Sequence, residues 1–440
     1  MNALLNALSN IPTDTLHTRL NNGVHVVLHP LPQAATSTVA VFVNSGSAHE
    51  GPRLNGISHF VEHMVFKGTA TRDARRINLD AERLGAEVNA HTDKDHTAFH
   101  MRGLPGHATQ FIHMLAELVL QPQFPAEELE RERQVLLQEH AEDEDDPVSA
   151  AFRLFDRACF GSHSAALPVI GPRRHIERFT RADLQAWVGQ QYTAPNLVLG
   201  VAGPFDAAGA QSLLRAAEAA FAQAPAGTLH TVPPVVYEGG LATLRHGGSS
   251  QAHLVLGFPV PALAQDNPAL RVAAAVFGDG MSSPLLDTLR ERQGLAYHAA
   301  CSADVLTVCG QFVVEASTAP EQFDALLSSV VQLLQTHAEH VDAVDLERAH
   351  NQLAVRWLRA QERPLQRLEA TALDLYTHGR LRVPAQQLQA LREVSAEQVR
   401  AGFEQMLAAG TAVAVTGAVP RGTRARLRSQ LGALAPKVIA

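Results

Sequence analysis

The first half of the chain opens with short apolar runs that predict β-strands. Val24-His-Val-Val-Leu28 and Thr38-Val-Ala-Val-Phe-Val43 are rich in β-branched residues and alternate in part. Apolar spacing then predicts a helix ending near Gly85, strands between Val88 and Met101, and long helices over 108–120 and 126–141. Because strands are pooled with helices rather than strictly alternating with them, we expect an α+β fold in which helices cover one face of each sheet.

The second half of the chain repeats the order of the first. Four matches keep a nearly constant offset: Glu82 with Glu291, Leu129 with Leu346, Thr180 with Ser395, and 197–203 with 411–417. A chance resemblance in a chain rich in Ala and Leu is the alternative, but an ordered series favours duplication. We therefore expect two structurally repeated domains, each a mainly antiparallel sheet covered by helices. Their predicted bounds are 1–225 and 241–440, joined by a linker at 226–240 where Pro and Gly cluster.

Composition excludes several classes of protein. The apolar fraction is 46% and the net charge is -8, which is typical of a globular protein without the basic face that nucleic acid requires. No apolar run reaches the roughly 18 residues that a membrane-spanning helix needs. Residues 1–5 lack a basic segment, so no signal peptide is predicted. Three cysteines form no metal-type pair, and we interpret them as small buried residues.

The strongest chemical signal is His59-Phe60-Val61-Glu62-His63. Two histidines four residues apart lie one helical turn apart on the same face, so both imidazoles can bind one zinc ion. Asn55 and Gly56 are typical of a helix start, and Gly68 of a stop. Glu62 projects near the same ion and can take a proton from an attacking water.

A third ligand is expected on the helix that follows. Glu132 and Glu139 are seven residues apart, about two turns, and therefore share a face. Glu139 can complete a site of two His and one Glu, and Glu132 can orient a ligand from behind. A solvated acidic helix would carry the same residues.

The repeat offers a comparison for these candidates. Opposite His59, Glu132 and Glu139 the second half carries, in order, Pro268, Ala349 and Arg356, and opposite His63 it carries Val272 or an apolar neighbour. The second half lacks the whole set, which favours a single site over scattered surface charge. His91, His96 and His100 are interpreted as strand or loop histidines rather than as rival ligands.

Three segments of the first half resemble the pitrilysin/insulinase family of zinc peptidases, in particular its half-length bacterial branch, which is similar to mitochondrial processing peptidase. They are Gly56 to Gly68 around the His-Phe-Val-Glu-His motif, Asn89-Ala-His-Thr92, and Glu130 to Glu139. The resemblance extends from about Leu20 to Val419.

The resemblance implies one zinc ion per chain, bound by His59, His63 and Glu139. It implies Glu62 as general base and Glu132 as a supporting carboxylate. It also implies that Asn89 and Ala90 lie on an edge strand, with which an extended peptide substrate pairs main chain to main chain.

The second half resembles the partner domain of that family. Gly280-Met-Ser-Ser-Pro284-Leu-Leu and Leu289-Arg290-Glu-Arg-Gln-Gly-Leu-Ala-Tyr297 carry an Arg and a Tyr at the spacing with which the family grips substrate. Tyr297 can donate to a developing oxyanion and Arg290 can hold a carbonyl. A surface helix Arg and a core aromatic would fit the same positions. Pro284 departs from the usual Arg.

The resemblance implies a zinc-dependent endopeptidase that hydrolyses short or unfolded peptides inside a dimeric chamber. The partner is then a second copy of the chain or a metal-free sister subunit. Two alternatives are a metal-binding subunit active only with that sister, and a non-catalytic scaffold or peptide-binding relative. The compartment is the cytoplasm or, after removal of a leader, the bacterial periplasm.

Overall fold

The computed structural model describes residues 15–265 and 267–435, which form two β-sheets and their covering helices. The predicted lack of a signal peptide concerns residues 1–5, which lie outside the described residues. The strands are β1 (Leu16–Arg19), β2 (His25–Pro30), β3 (Ser37–Val43), β4 (Glu87–Thr92), β5 (Thr97–Gly103), β6 (Leu197–Gly203), β7 (Leu241–Arg245), β8 (Ala252–Val260), β9 (His298–Val305), β10 (Gly310–Thr318) and β11 (Ala412–Gly417).

The helices follow the predicted positions closely, and the two long helices expected at 108–120 and 126–141 are α3 and α4. The second of these continues to Asp145. The helices are α1 (Ile57–Val65), α2 (Ala74–Arg83), α3 (Ala108–Leu120), α4 (Ala126–Asp145), α5 (Pro147–Phe160), α6 (Arg173–Ile176), α7 (Arg181–Gln191), α8 (Ala207–Ala220), α9 (Pro268–Gly278), α10 (Pro284–Leu286), α11 (Phe323–Glu339), α12 (Ala343–Gln361), α13 (Pro364–His378), α14 (Pro384–Arg392), α15 (Ala396–Ala409) and α16 (Thr423–Leu431).

The two sheets share one strand order, except that the first has the additional edge strand β1. The first has the order β1-β2-β6-β3-β5-β4, and the second has the order β7-β11-β8-β10-β9. In each sheet a single parallel pair, β2 with β6 and β7 with β11, adjoins strands that pair antiparallel. The expected mainly antiparallel sheets are therefore confirmed, and the matching order of β2-β6-β3-β5-β4 and β7-β11-β8-β10-β9 shows the repeat in the structure.

Matched helix starts mark the same repeat. Thr180 and Ser395, paired in the sequence comparison, are the N-caps of α7 and α15. Each forms a reciprocal capping box with the residue three positions on, Asp183 and Gln398 respectively. Local sequence therefore sets equivalent helix starts in both halves.

Each sheet is covered by helices on both faces, and the expectation of one covered face is wrong. The first sheet packs Val39 and Val41 against the main helical layer, while Ala40 and Phe42 face α13. The second sheet packs Leu254 and Leu256 on one side and its opposite face against α5. Because strands such as β3 are buried along their whole length, both faces need a cover.

The covering helices come from remote parts of the sequence, so the chain forms two compact units that interlace along it. Among the described residues, unit 1 contains the chain up to His140, Pro168–Val232 and Leu358–Leu381. Unit 2 contains Ala141–Leu167, Pro233–Trp357 and the chain from Arg382. Thus α13 completes unit 1 and α5 completes unit 2.

Two expectations from composition concern burial. Cys159 and Cys309 are buried, while Cys301 is only half-buried. Among the helices of the described residues, none combines the length and apolarity needed to cross a bilayer.

Candidate metal centre

Helix α1 carries the paired histidines on a short, well-anchored segment of unit 1. Gly56 precedes it with φ of 95°, a left-handed conformation that glycine adopts without strain. Phe60, Val61, Met64 and Val65 bury one face of the helix in the core. The half-buried remainder of the helix therefore presents His59 and His63 in a fixed orientation.

Glu50 fixes the start of α1 and was not identified from the sequence. Its Oε2 accepts hydrogen bonds from the backbone amide of Gly56 at 2.7 Å and from the side-chain Nδ2 of Asn55 at 2.9 Å, and its Oε1 accepts one from the backbone amide of Ser58 at 2.8 Å. Burial raises the pKa of Glu50 to about 7, although these hydrogen bonds oppose the rise. The carboxyl thus satisfies helix-terminal amides that would otherwise be unpaired.

His59, His63 and Glu139 converge in unit 1. The Nε2 atom of His59 lies 3.7 Å from Oε1 of Glu139, and that of His63 lies 3.6 Å from Oε2. One ligand atom from each residue lies within 4.8 Å of the other two. The structure therefore brings two imidazoles of α1 together with a carboxylate of α4.

These separations suit ligands of a shared ion better than hydrogen bonds. Ligand atoms about 2.1 Å from a tetrahedral zinc ion lie about 3.4 Å from one another, whereas charge-assisted hydrogen bonds are about 2.8 Å long. Burial and the neighbouring His63 lower the pKa of His59 to about 3, so its ring is neutral and can offer a lone pair. The residues present fit zinc.

Glu132 supports His63 from behind. Its Oε1 lies 2.9 Å from Nδ1 of His63, and its Oε2 lies 2.7 Å from Nζ of Lys67. Burial acts to raise the pKa of Glu132, but the hydrogen bonds from His63 and Lys67 outweigh it and hold that pKa below its usual range. A carboxylate that accepts the proton on Nδ1 keeps Nε2 of His63 aimed at the cluster. Lys67 lies just beyond the end of α1, two positions after Val65.

Glu62 projects from the same helix and is half-buried. Burial raises its pKa above the ordinary range, while the Thr92 hydroxyl and the nearby imidazole of His63 oppose the rise. Its Oε2 atom is buried and makes no hydrogen bond to any described residue. A carboxylate oxygen beside the imidazoles is thus available to a reacting molecule.

Asn89 and Ala90 lie on β4, which ends the order of strands in the first sheet. They pair with His100 and Phe99 of β5 on one side only. The other side of β4 has no strand partner among the described residues. Main-chain groups along this edge can therefore accept an additional strand.

Arg290 and Tyr297 lie together in unit 2. The guanidinium of Arg290 lies 4.9 Å from the centre of the Tyr297 ring, and Tyr297 is 80% exposed. That exposure excludes a core aromatic at position 297. In the same unit Arg356, opposite Glu139 in the repeat, pairs with Asp279.

A second group of two imidazoles and one carboxylate also appears in unit 1. His91, His96 and Glu369 place one ligand atom each within 4.8 Å of the other two. The sequence interpretation of His91 and His96 as isolated histidines missed this group. Glu369 lies 278 positions after His91, so no local pattern connects them.

The chain is similar to known peptidases over most of its length. The model of the family described as Insulinase (Peptidase family M16) matches residues 25–173, and that of the Peptidase M16 inactive domain matches residues 178–353. An "Uncharacterized zinc protease" of Mycobacterium bovis is 30% identical over 424 residues, which cover 95% of this chain and 96% of that protein. Another from Rickettsia bellii is 28% identical and covers 91% of this chain and 96% of its own.

Solved structures share the fold. A protease from Helicobacter pylori superposes with a TM-score of 0.84 at 21% identity, covering 92% of this chain and 99% of that chain. A Peptidase M16 inactive domain from Pseudomonas fluorescens gives a TM-score of 0.83 at 20% identity, covering 92% and 98%.

These findings define the class of the protein, which is a zinc metallopeptidase. More particularly, the chain belongs to peptidase family M16. With 440 residues it is a half-length member of that family, and zinc is its metal.

Proposed function

We propose that the chain is an endopeptidase of short or unfolded peptides in which His59, His63 and Glu139 bind the zinc ion. The observation that carries this proposal is the convergence of their three ligand atoms within 4.8 Å. In the same half of the chain, the unpartnered Oε2 of Glu62 offers a base beside that group.

In this proposal Glu62 moves the proton. When bound, zinc lowers the pKa of a water molecule and polarises the carbonyl of the peptide bond. Glu62 accepts a proton from the attacking water as the new carbon–oxygen bond forms. It then donates that proton to the amide nitrogen as the carbon–nitrogen bond breaks, so that atoms and charges balance.

Three further residues have supporting roles in this proposal. Glu132 holds His63 in position through Nδ1. The backbone beside Asn89 and Ala90 pairs with the extended substrate at the free edge of β4. This mode of binding selects extended chains, since a folded substrate would have to open before it could add a strand.

The proposal extends to the partner and to unit 2. Arg290 and Tyr297 form an exposed cation–π pair that presents donors to a substrate carbonyl or oxyanion. We propose that the working form is a pair of chains, either two copies or this chain with a metal-free sister, enclosing the peptide.

The test of the catalytic proposal is Glu62→Gln. Glutamine keeps the shape of the side chain but cannot accept the proton, so we expect peptide cleavage to fall by about 10²–10⁴-fold while zinc content is unchanged. Exposed Glu130 of α4 offers a matched control, and Glu130→Gln should cleave at the parent rate. Equal cleavage by Glu62→Gln and the parent would overturn the assignment.

The partner is tested on the purified chain alone. Its mass in solution distinguishes one copy from two, and a cleavage assay with unfolded peptides shows whether the pure chain turns over. Activity of a homogeneous dimer supports two copies. Activity that appears only with a co-purified second chain supports the sister subunit, and zinc-loaded protein inactive in both forms would favour the scaffold alternative.

A further inference from the structure

We infer that His91, His96 and Glu369 form a second binding site in unit 1 for a divalent transition-metal ion such as Zn²⁺. The site joins three parts of the chain. His91 belongs to the edge strand β4, and His96 directly precedes β5. Glu369 belongs to α13, which covers the face of the first sheet that carries Ala40 and Phe42.

The distances around Glu369 are those of ligands rather than of strong hydrogen bonds. Its Oε1 lies 3.4 Å from Nε2 of His91 and 3.3 Å from Nε2 of His96. One oxygen is thus shared by two imidazoles at separations near the 3.4 Å or so expected between ligands of a tetrahedral zinc ion. A charge-assisted hydrogen bond in the same unit is shorter: Nδ1 of His63 lies 2.9 Å from Oε1 of Glu132.

The ring of His96 is the second observation that indicates a ligand. Its side chain is only 1% exposed, and neither ring nitrogen makes an aligned hydrogen bond to a residue in 15–265 or 267–435. A buried polar ring without such bonds loses its hydration without replacement. A cation at the centre of the group would satisfy Nε2 directly.

The surroundings of His96 repeat the arrangement around His63. Nδ1 of His96 lies 3.2 Å from Oδ2 of Asp93, while Nε2 faces Glu369. In the first group, Nδ1 of His63 faces Glu132 while Nε2 faces Glu139. A carboxylate behind a ligating histidine is the usual support of a metal site.

The charge of the site suits a divalent cation. The carboxylates of Glu369, Asp93 and Asp95 all lie close enough to His96 to stabilise a positive charge there. Two imidazoles with a carboxylate are a donor set that zinc and related transition ions accept, whereas calcium and magnesium prefer oxygen ligands alone. The neighbouring His100, whose ring centre lies 6.2 Å from that of His91, is outside the ligand set.

An ion at this site would tie the edge strand to a helix of the other half of the sequence. In the absence of a metal, the same residues would instead form a buried ion pair between protonated His96 and Glu369. The two arrangements differ in one measurable quantity, the number of metal ions that the chain holds after its first metal site has been removed.

The experiment therefore begins with the full chain carrying His59→Ala and His63→Ala, which lacks two of the three ligands in the first group. This variant is dialysed against buffered Zn²⁺ and its metal content is measured. We expect two equivalents in the parent and one in the double variant. Co²⁺ alone, followed by its visible absorption, should report a nitrogen- and oxygen-liganded ion in the double variant.

Adding Glu369→Gln to the double variant should remove the remaining equivalent or weaken its binding by at least tenfold, since the shared carboxylate is lost. Glu362→Gln, an exposed glutamate of the same unit, is the matched control and should keep it. Glu369→Gln in the parent should retain one equivalent, which shows that the variant folds.

Two results would overturn the inference. If the double variant binds no metal, His96 belongs to a buried ion pair instead. If it binds one equivalent that survives Glu369→Gln, the ion lies elsewhere. Neither outcome touches the catalytic proposal, whose test is peptide cleavage by a chain with its first site intact.

Discussion

At the scale of single residues, the metal centre depends on how each histidine is held. His63 is positioned by a 2.9 Å contact between Nδ1 and Glu132, which Lys67 in turn holds at 2.7 Å. The pKa of His63 is raised, because its carboxylate neighbours outweigh the opposite effect of burial. In the proposed site a metal ion therefore displaces a proton from Nε2, while the hydrogen bond on Nδ1 keeps the ring facing the cluster.

Replacing Glu132 by Gln tests this positioning. The variant loses the charge that orients His63, so we expect the dissociation constant for zinc to rise about 10–100-fold. Cleavage at saturating zinc should recover most of the lost rate, since Glu132 does not touch the reacting atoms. Zinc titration of the variant beside Glu130→Gln measures the effect, and equal affinity in both would contradict the supporting role of Glu132.

At the scale of secondary-structure elements, α1 is fixed by a buried cap and α13 by a close approach to the sheet. Glu50 accepts from the amides of Gly56 and Ser58 at the start of α1. In β6, a Cβ atom at Gly200 would lie 2.7 Å from Cδ2 of Leu368 on α13. Glycine thus allows the helix from the remote segment to pack against the strand.

Replacing Glu50 by Ala should destabilise the protein, because buried amides at the start of α1 lose their acceptor. We expect the free energy of unfolding at pH 5 to fall by about 2–4 kcal/mol. Urea unfolding of the variant and of the exposed control Glu87→Ala measures the difference. If Glu50→Ala loses no more unfolding free energy than the control, Glu50 does not stabilise the start of α1.

We expect the stability difference between the parent and Glu50→Ala to depend on pH. The folded pKa of Glu50, about 7, exceeds its ordinary value of 4.5, so the folded chain binds this proton more tightly than the unfolded chain. The stabilisation from protonated Glu50 is complete below pH 4.5 and is lost as the pH rises through 7. The gap between parent and variant should therefore narrow between pH 5 and pH 8, at no more than about 1.4 kcal/mol per pH unit. If the difference in unfolding free energy instead widens as the pH rises, the pKa of Glu50 is not raised in the folded chain.

At the scale of the whole molecule, a duplicated fold carries its candidate metal ligands in one of its two units, as far as the described residues show. Both groups of candidate ligands in the described residues lie in unit 1. In unit 2 the position opposite Glu139 is Arg356, which pairs with Asp279. Apart from β1 the two sheets share their strand order, but among the described residues only unit 1 brings two imidazoles and a carboxylate into one group.

Removing the metal should therefore affect the units unequally. A chelator is expected to increase amide hydrogen exchange in α1 and around Glu139 of α4, because a ligand that binds only the folded state stabilises what it holds. Helices α9 and α11 of unit 2 should exchange at unchanged rates. Exchange measured by mass spectrometry with and without chelator provides the comparison, and equal deprotection of both units would show that unit 2 also depends on the ion.

The sequence by itself determined what short-range geometry controls. The spacing of His59 and His63 places both on one helical face, and the caps at Thr180 and Ser395 start equivalent helices because both depend on backbone periodicity and neighbouring residues. Motif resemblance added Glu139 and the edge strand, which spacing alone left open.

Only the tertiary structure decided which remote segments meet. The cover of each sheet's second face by α5 and α13, the capping of α1 by Glu50 and the approach of Glu369 to His96 join residues that no local pattern connects. Such contacts follow from the burial of whole strands and helix faces, and that burial depends on contacts between all parts of the folded chain. Sequence periodicity indicates that a face is apolar, but it does not identify the helix that covers that face.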